Sequence, residues 1–156
     1  LGGGAVSANR NTIGVHAPMA TAIADVAEAR RDYMDESGGR YVQVIADGGM
    51  GDSGSFNKAF ELGADAVMLG SPLARAEEAP GKGMHWGAEA RHQTLPRGSR
   101  TNVGTVGTLE DIMFGPSHNA DGTTNYIGAL RRAMATTGYV DLKSFQRCPV
   151  TVAPTR

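Results

Sequence analysis

The stretches VQVIADGGMG (Val42–Gly51) and ADAVMLGSP (Ala64–Pro72) decide the fold of this chain. Each is a nearly continuous apolar run that ends in small residues, the pattern of a parallel strand buried on both faces. Between them, Ser53–Leu62 has helical spacing and can supply the crossover that parallel strands need. The sequence therefore predicts a βαβ unit whose functional groups lie at the carboxyl ends of the strands.

Further helical patterns flank this unit, but no further strand pattern is evident. Two parallel strands cannot cover their own edges and give the helices little to pack on. We therefore expect residues 1–156 to form a single incomplete α/β domain, part of a larger barrel, as a fragment or as a protomer that needs a partner. The strands are expected at about Tyr41–Ala46 and Ala64–Leu69, and the other helices at about Pro18–Ser37, Pro72–Glu78, Thr108–Met113, Thr123–Thr137 and Asp141–Arg147.

Composition argues against several classes of partner. The 156 residues carry a net charge of -1 and no long apolar run, so we expect neither a nucleic-acid nor a membrane partner. The single cysteine, Cys148, rules out an internal disulfide. His16, His85, His92 and His118 lack metal-ligand spacing and are interpreted as solvated loop residues, so no metal site is predicted. These features favour a cytoplasmic protein.

The two strand ends offer groups that suit a nucleotide. Asp47 ends the first strand and is followed by two glycines, so its carboxylate can accept hydrogen bonds from a vicinal diol such as a ribose. Gly70 and Ser71 end the second strand, where backbone N–H groups and a hydroxyl can hold a phosphate. Each motif can also be an ordinary turn. Their adjacency favours a nucleoside monophosphate, which needs both sites side by side.

Two segments lack a regular pattern. Residues 1–17 form a predicted glycine-rich loop, in which Gly2–Gly4 can cradle an anion or offer carbonyls to a monovalent cation, or simply be flexible. Ser7 is a candidate nucleophile there, although no His or Asp stands at a spacing that implies activation. Residues 79–121 combine seven glycines with scattered apolar side chains and are predicted to be an active-site flap or lid.

Five motifs of this sequence together resemble those of one known family. They make most of the chain resemble the carboxyl-terminal part of the IMP dehydrogenase/GMP reductase family, in particular the IMP dehydrogenase-like proteins of actinobacterial type. The motifs are PMATAIADVAEARRDY (Pro18–Tyr33), GGRYVQVIADGGM (Gly38–Met50), GADAVMLGSPLARAEEAPG (Gly63–Gly81), VGTVGTLEDIMFGPS (Val103–Ser117) and GALRRAMATTGYVDLKSFQR (Gly128–Arg147).

The resemblance implies a (β/α)8 barrel in which the two strands are the seventh and eighth. Members of this family oxidise IMP to XMP with NAD, or reduce GMP to IMP with NADPH, through a covalent intermediate on a cysteine thiolate. By position, the resemblance places the ribose on Asp47 and implies a homo-oligomer. The phosphate is expected at Gly49, Gly70 and Ser71, the base near Val106 and Gly107, a monovalent cation at the loop of Gly2 and Gly4, and the flap at residues 82–102.

One departure from the family bears directly on chemistry. The family loop has a pattern like GPGxxCTTR, whereas residues 2–10 here read GGGAVSANR, so Ser7 occupies the position of the nucleophilic cysteine. A serine hydroxyl is far less ionised than a thiol at neutral pH. We therefore expect either an IMP dehydrogenase-like or GMP reductase-like oxidoreductase, or a non-catalytic purine-nucleotide-binding chain that pairs with a complementary half-barrel. An inert product of a broken reading frame is a third alternative.

Overall fold

The computed structural model describes residues 14–86, 100–151 and 153. Within these residues β1 pairs in parallel with β2 and β3 pairs antiparallel with β4, so they contain two small sheets and no closed barrel. The strands are β1 (Ile45–Asp47), β2 (Ala66–Met68), β3 (Met84–His85) and β4 (Thr101–Asn102). The helices are α1 (Met19–Glu36), α2 (Ser53–Glu61), α3 (Ser71–Ala74), α4 (Leu109–Phe114), α5 (Tyr126–Thr137) and α6 (Leu142–Phe145).

The predicted βαβ unit is confirmed, with α2 as the crossover between β1 and β2. The helix begins after Asp52, whose side chain accepts a hydrogen bond from the Ser55 N–H at 2.8 Å. This contact satisfies one of the backbone donors that a helix start leaves unpaired. Phe56 and Phe60 lie on the buried face of α2. The sequence between the strands thus fixes both the start and the orientation of the crossover.

The strands differ from prediction in length and in burial. The ladder covers three residues in each strand, because only Ile45–Asp47 and Ala66–Met68 are in register. Ala46 is buried against α1 and α2, whereas Ile45 is 58% exposed and Met68 is 53% exposed. The expectation of burial on both faces is therefore wrong within the described residues, since their helices pack on one face only. The other face is apolar and open.

The larger apolar core lies between α2, α4, α5 and α6. Phe56 packs edge-to-face on Phe60 and on Tyr126, with ring centroids 5.1 Å and 5.4 Å apart. Ile112 and Phe145 complete the fully buried part of this cluster. Such aromatic pairs add to the stabilisation from area burial. This core anchors the carboxyl-terminal helices to α2 and thereby holds the strand ends in place.

Residues 79–121 contain more regular structure than the sequence indicated. The turn predicted near Thr108–Met113 is helix α4, and Thr108 caps it through a reciprocal bond with Asp111. The antiparallel pair β3–β4 was not predicted, because strands of two residues are too short to display an alternating pattern. Residues 87–99, the middle of the predicted flap, lie outside the described residues.

Candidate functional site

The register of β1 and β2 brings the two predicted ligand loops to one edge of the sheet. Asp47 lies opposite Met68, and Gly70 follows two residues later. At about 3.3 Å per residue, Gly70 is about 7 Å beyond the level of Asp47 on the adjacent strand. The carboxyl ends of both strands therefore present Asp47 and the Gly70–Ser71 turn on the same side of the molecule.

Asp47 is exposed at the end of β1, and none of the described residues forms a hydrogen bond with its carboxylate. The loop that follows needs glycine, since Gly48 and Gly49 have φ values of 112° and 78°. A Cβ built on Gly49 would meet only Met19 Cγ, at 3.9 Å. At Gly49, backbone shape rather than crowding by the described residues therefore requires glycine.

Ser71 contacts a histidine that the sequence did not connect with it. Ser71 Oγ lies 3.1 Å from Nδ1 of His85, and both side chains are half-buried. A Cβ on Gly70 would stand 3.0 Å from Cε1 of the same ring, so the imidazole packs directly on this turn. The interpretation of His85 as a solvated loop residue is wrong, because it lies in β3 against the turn. No spacing rule links positions 71 and 85; only the glycine at position 70 hints at a close approach.

Val106 and Gly107 are held near the carboxyl end of α3. The Val106 N–H donates to the Arg75 carbonyl at 3.0 Å, and the Glu77 N–H donates to the Gly107 carbonyl at 2.9 Å. Val106 also packs against the larger apolar core. These contacts tie both residues to the chain segment after Ser71, and their predicted place near a base stays a prediction.

The remaining predicted site residues, Gly2, Gly4 and Ser7, lie outside the described residues. In ranges 14–86 and 100–151, no three His, Cys, Asp or Glu side chains are placed to hold a metal ion together. Over the same ranges no helix has the length and apolarity needed to cross a bilayer.

A second polar group, which we call the Asp65 cluster, lies at the opposite end of β2. It consists of Asp65, Arg30, Tyr41, Lys143 and Gln146. The Asp65 carboxylate accepts hydrogen bonds from Arg30 at 2.6 Å, from Lys143 at 2.7 Å and from the Tyr41 hydroxyl. Burial alone would raise the pKa of this carboxyl. Hydrogen bonds from Lys143 and Tyr41, with smaller contributions from the Val44 N–H and Gln146, outweigh burial and lower the pKa well below its usual range. The cluster joins α1, β2 and α6 away from the ligand loops.

Comparison with known proteins identifies the family. The family model described as the IMP dehydrogenase / GMP reductase domain matches residues 1–155. The chain belongs to this family. A solved structure described as an IMP dehydrogenase/GMP reductase-like protein from Corynebacterium glutamicum is 55% identical and superposes with a TM-score of 0.86. A GMP reductase from Trypanosoma brucei, 28% identical, superposes with a TM-score of 0.68.

The match covers most of this chain and a minor part of each relative. An uncharacterized oxidoreductase of Mycobacterium leprae is 53% identical over 90% of this chain, and the chain spans 38% of that relative's length. The chain covers 39% of the Corynebacterium protein and 28% of the Trypanosoma enzyme. An inosine-5'-monophosphate dehydrogenase of Thermoplasma acidophilum is 51% identical over 84 residues. The chain therefore corresponds to a portion of its TIM-barrel relatives.

Proposed function

We propose that this chain forms the nucleotide-binding end of an IMP dehydrogenase-like purine nucleotide oxidoreductase, which converts IMP to XMP with NAD in guanine nucleotide biosynthesis. The observation that carries the proposal is the convergence of Asp47 and Ser71 at one edge of paired parallel strands. Membership of the IMP dehydrogenase/GMP reductase family supports the same ligand class.

The two halves of the site suit two parts of one ligand. The Asp47 carboxylate, free of described partners, accepts hydrogen bonds from the ribose hydroxyls of a purine nucleoside monophosphate. Gly49, Gly70 and Ser71 hold the phosphate, and Val106 and Gly107 lie toward the base. Because a nucleoside lacks the phosphate, it should bind more weakly than the nucleotide.

The proposed reaction oxidises the purine at C2; water would supply the new oxygen and NAD, when bound, would supply the hydride acceptor, with one proton released. In the alternative GMP reductase-type reaction, which reduces GMP to IMP, NADPH would supply the hydride donor. The Asp52 carboxylate is engaged as a helix cap, and we assign no described residue to the dinucleotide.

The second candidate function is binding without turnover, and Ser7 is the observation that favours it. This residue stands where the family has its nucleophilic cysteine. A hydroxyl at this position is a poor nucleophile unless a base activates it. In that case the chain would bind IMP or GMP as a subunit that pairs with a complementary half-barrel or with a second copy of itself.

Calorimetric titration of the full chain with IMP tests the proposal. We expect binding, and Asp47→Ala should weaken it about 10-fold or more through loss of hydrogen bonds to a charged group. Asp32→Ala is the matched control, because Asp32 is an exposed acid on α1. Unchanged affinity in Asp47→Ala, or no binding of IMP or GMP by the unaltered chain, would contradict the proposal. NADH absorbance with IMP and NAD then separates the two candidates: turnover supports the oxidoreductase, and its absence supports binding alone.

A further inference from the structure

His85 contacts both residues of the turn that the proposed function assigns to the phosphate. Its Nδ1 lies 3.1 Å from Ser71 Oγ, and Nε2 would stand 3.3 Å from a Cβ built on Gly70. We propose that His85 is a positioning and binding residue for the monophosphate, which sets the direction of the Ser71 hydroxyl and places a second ring nitrogen over the turn. This inference rests on the proposed function and adds a residue to its site.

Main-chain contacts on either side of His85 position its imidazole ring. His85 pairs with Thr101 across the β3–β4 ladder. The Gly83 N–H donates to the Ala74 carbonyl at 3.2 Å, which fastens the start of β3 to the end of α3. A Cβ on Gly83 would come within 2.8 Å of the Gly104 carbonyl carbon, so the segments before β3 and after β4 lie too close together here for a side chain. The imidazole is thus presented to the turn by fixed main-chain contacts.

Hydrogen-bond chemistry determines what this contact does. If Nδ1 accepts from the Ser71 hydroxyl, the proton of that hydroxyl points at the ring and is not available to a phosphate oxygen. If Nδ1 carries a proton, it donates to Ser71 Oγ, and the hydroxyl is free to donate to the phosphate. An anion at the turn therefore favours the state in which His85 donates to Ser71. In the imidazolium form Nε2–H is a further donor.

Gly70 is the structural requirement for this arrangement. Its φ of -104° is accessible to any L-residue, so backbone conformation does not demand glycine here. The available space favours glycine, because a Cβ would lie 3.0 Å from the imidazole and the ring would have to shift by a few tenths of an ångström. Within the described residues no lysine or arginine side chain is hydrogen-bonded to Ser71. Among the described residues, His85 is the side chain that the structure brings within hydrogen-bond distance of Ser71.

The test compares a nucleotide with its nucleoside. IMP and inosine are titrated calorimetrically into the full chain and into His85→Ala, His85→Asn and Ser71→Ala, with His118→Ala as the exposed-histidine control. We expect His85→Ala to weaken IMP about 10-fold or more while inosine affinity is unchanged. His85→Asn, which retains a hydrogen-bond donor, should lose less IMP affinity than His85→Ala. The double variant His85→Ala/Ser71→Ala should lose less free energy of IMP binding than the two single variants lose together, because the two side chains act together.

The outcomes separate the inference from the function on which it rests. If Asp47→Ala weakens IMP but His85→Ala and His85→Asn bind it normally, the inference is wrong and the proposed function stands. Equal loss of IMP and inosine in His85→Ala, at an unchanged melting temperature, would also overturn a role at the phosphate. If the unaltered chain binds no IMP, the proposed function fails and the inference fails with it.

Discussion

Replacement of Asp65 by asparagine would remove the charge at the centre of the Asp65 cluster. The Arg30–Asp65 ion pair spans 2.6 Å, and each side chain is only 10% exposed. Asparagine would leave the largely buried Arg30 guanidinium without a counter-ion and turn an amide N–H₂ toward existing donors. Loss of one partner of such a pair costs about 3 kcal/mol. Lys143 is 62% exposed, so its own pair with Asp65 contributes no more than about 1 kcal/mol.

Urea unfolding at pH 7, followed by circular dichroism, measures both effects. We expect Asp65→Asn to lower the free energy of unfolding by about 3 kcal/mol and Lys143→Met to lower it by less than about 1 kcal/mol. Asp32→Asn, an exposed acid on the same helix as Arg30, should change little. A loss below about 1 kcal/mol in Asp65→Asn would refute the claim that this cluster holds α1, β2 and α6 together.

The same residue gives the cluster a pH dependence of known sign. Because the folded state lowers the pKa of Asp65, the unfolded chain takes up this proton first as the pH falls. The stabilisation is fully present above the unfolded pKa of about 3.9 and is lost progressively below it. The stability difference between the unaltered chain and Asp65→Asn should therefore shrink below about pH 4, and a difference constant down to pH 2 would contradict this origin.

Three further substitutions test other parts of the account. Tyr126 has no hydrogen-bond partner for its hydroxyl among the described residues, and burial raises its pKa to about 12. Tyr126→Phe should therefore leave the free energy of unfolding at pH 7 unchanged or higher. In urea titrations above about pH 10, it should reduce the loss of stability. Gly63 has a φ of 107°, and a Cβ there would lie 2.7 Å from the Ala27 Cβ; Gly63→Ala should cost about 2 kcal/mol or more in the same assay. Gly70→Ala should displace His85 and weaken IMP binding in calorimetry, with little change in melting temperature.

The helices could be predicted largely because their signals are local. Helix α2 lies within the predicted range Ser53–Leu62, and α1 spans Met19–Glu36, within about a residue of the prediction. The strands were predicted in the right order and orientation but too long. Apolar character extends from Tyr41 onward, whereas pairing with β2 starts only at Ile45. The apolar pattern of the sequence indicates where a strand can form, but pairing with the neighbouring strand determines which residues form it.

The candidate site was predictable only where it follows the βαβ unit. Asp47 and Ser71 converge because parallel register brings successive strand ends together, a rule that needs no tertiary information. His85 could not be found in this way, because its approach to Ser71 depends on the β3–β4 ladder and on a main-chain contact with α3. Contacts made by such short strands leave no periodic trace in the sequence.

The central claim is that Asp47 and the Gly70–Ser71 turn form one site for a purine nucleoside monophosphate. Backbone amide chemical shifts of the isotope-labelled chain, followed by NMR during titration with IMP, test it most directly. With IMP, the largest shifts are expected at Gly48, Gly49, Gly70 and Ser71; inosine, which lacks the phosphate, is expected to perturb Gly48 but not Gly70 and Ser71. Shifts confined to other regions, or identical patterns for IMP and inosine, would contradict it.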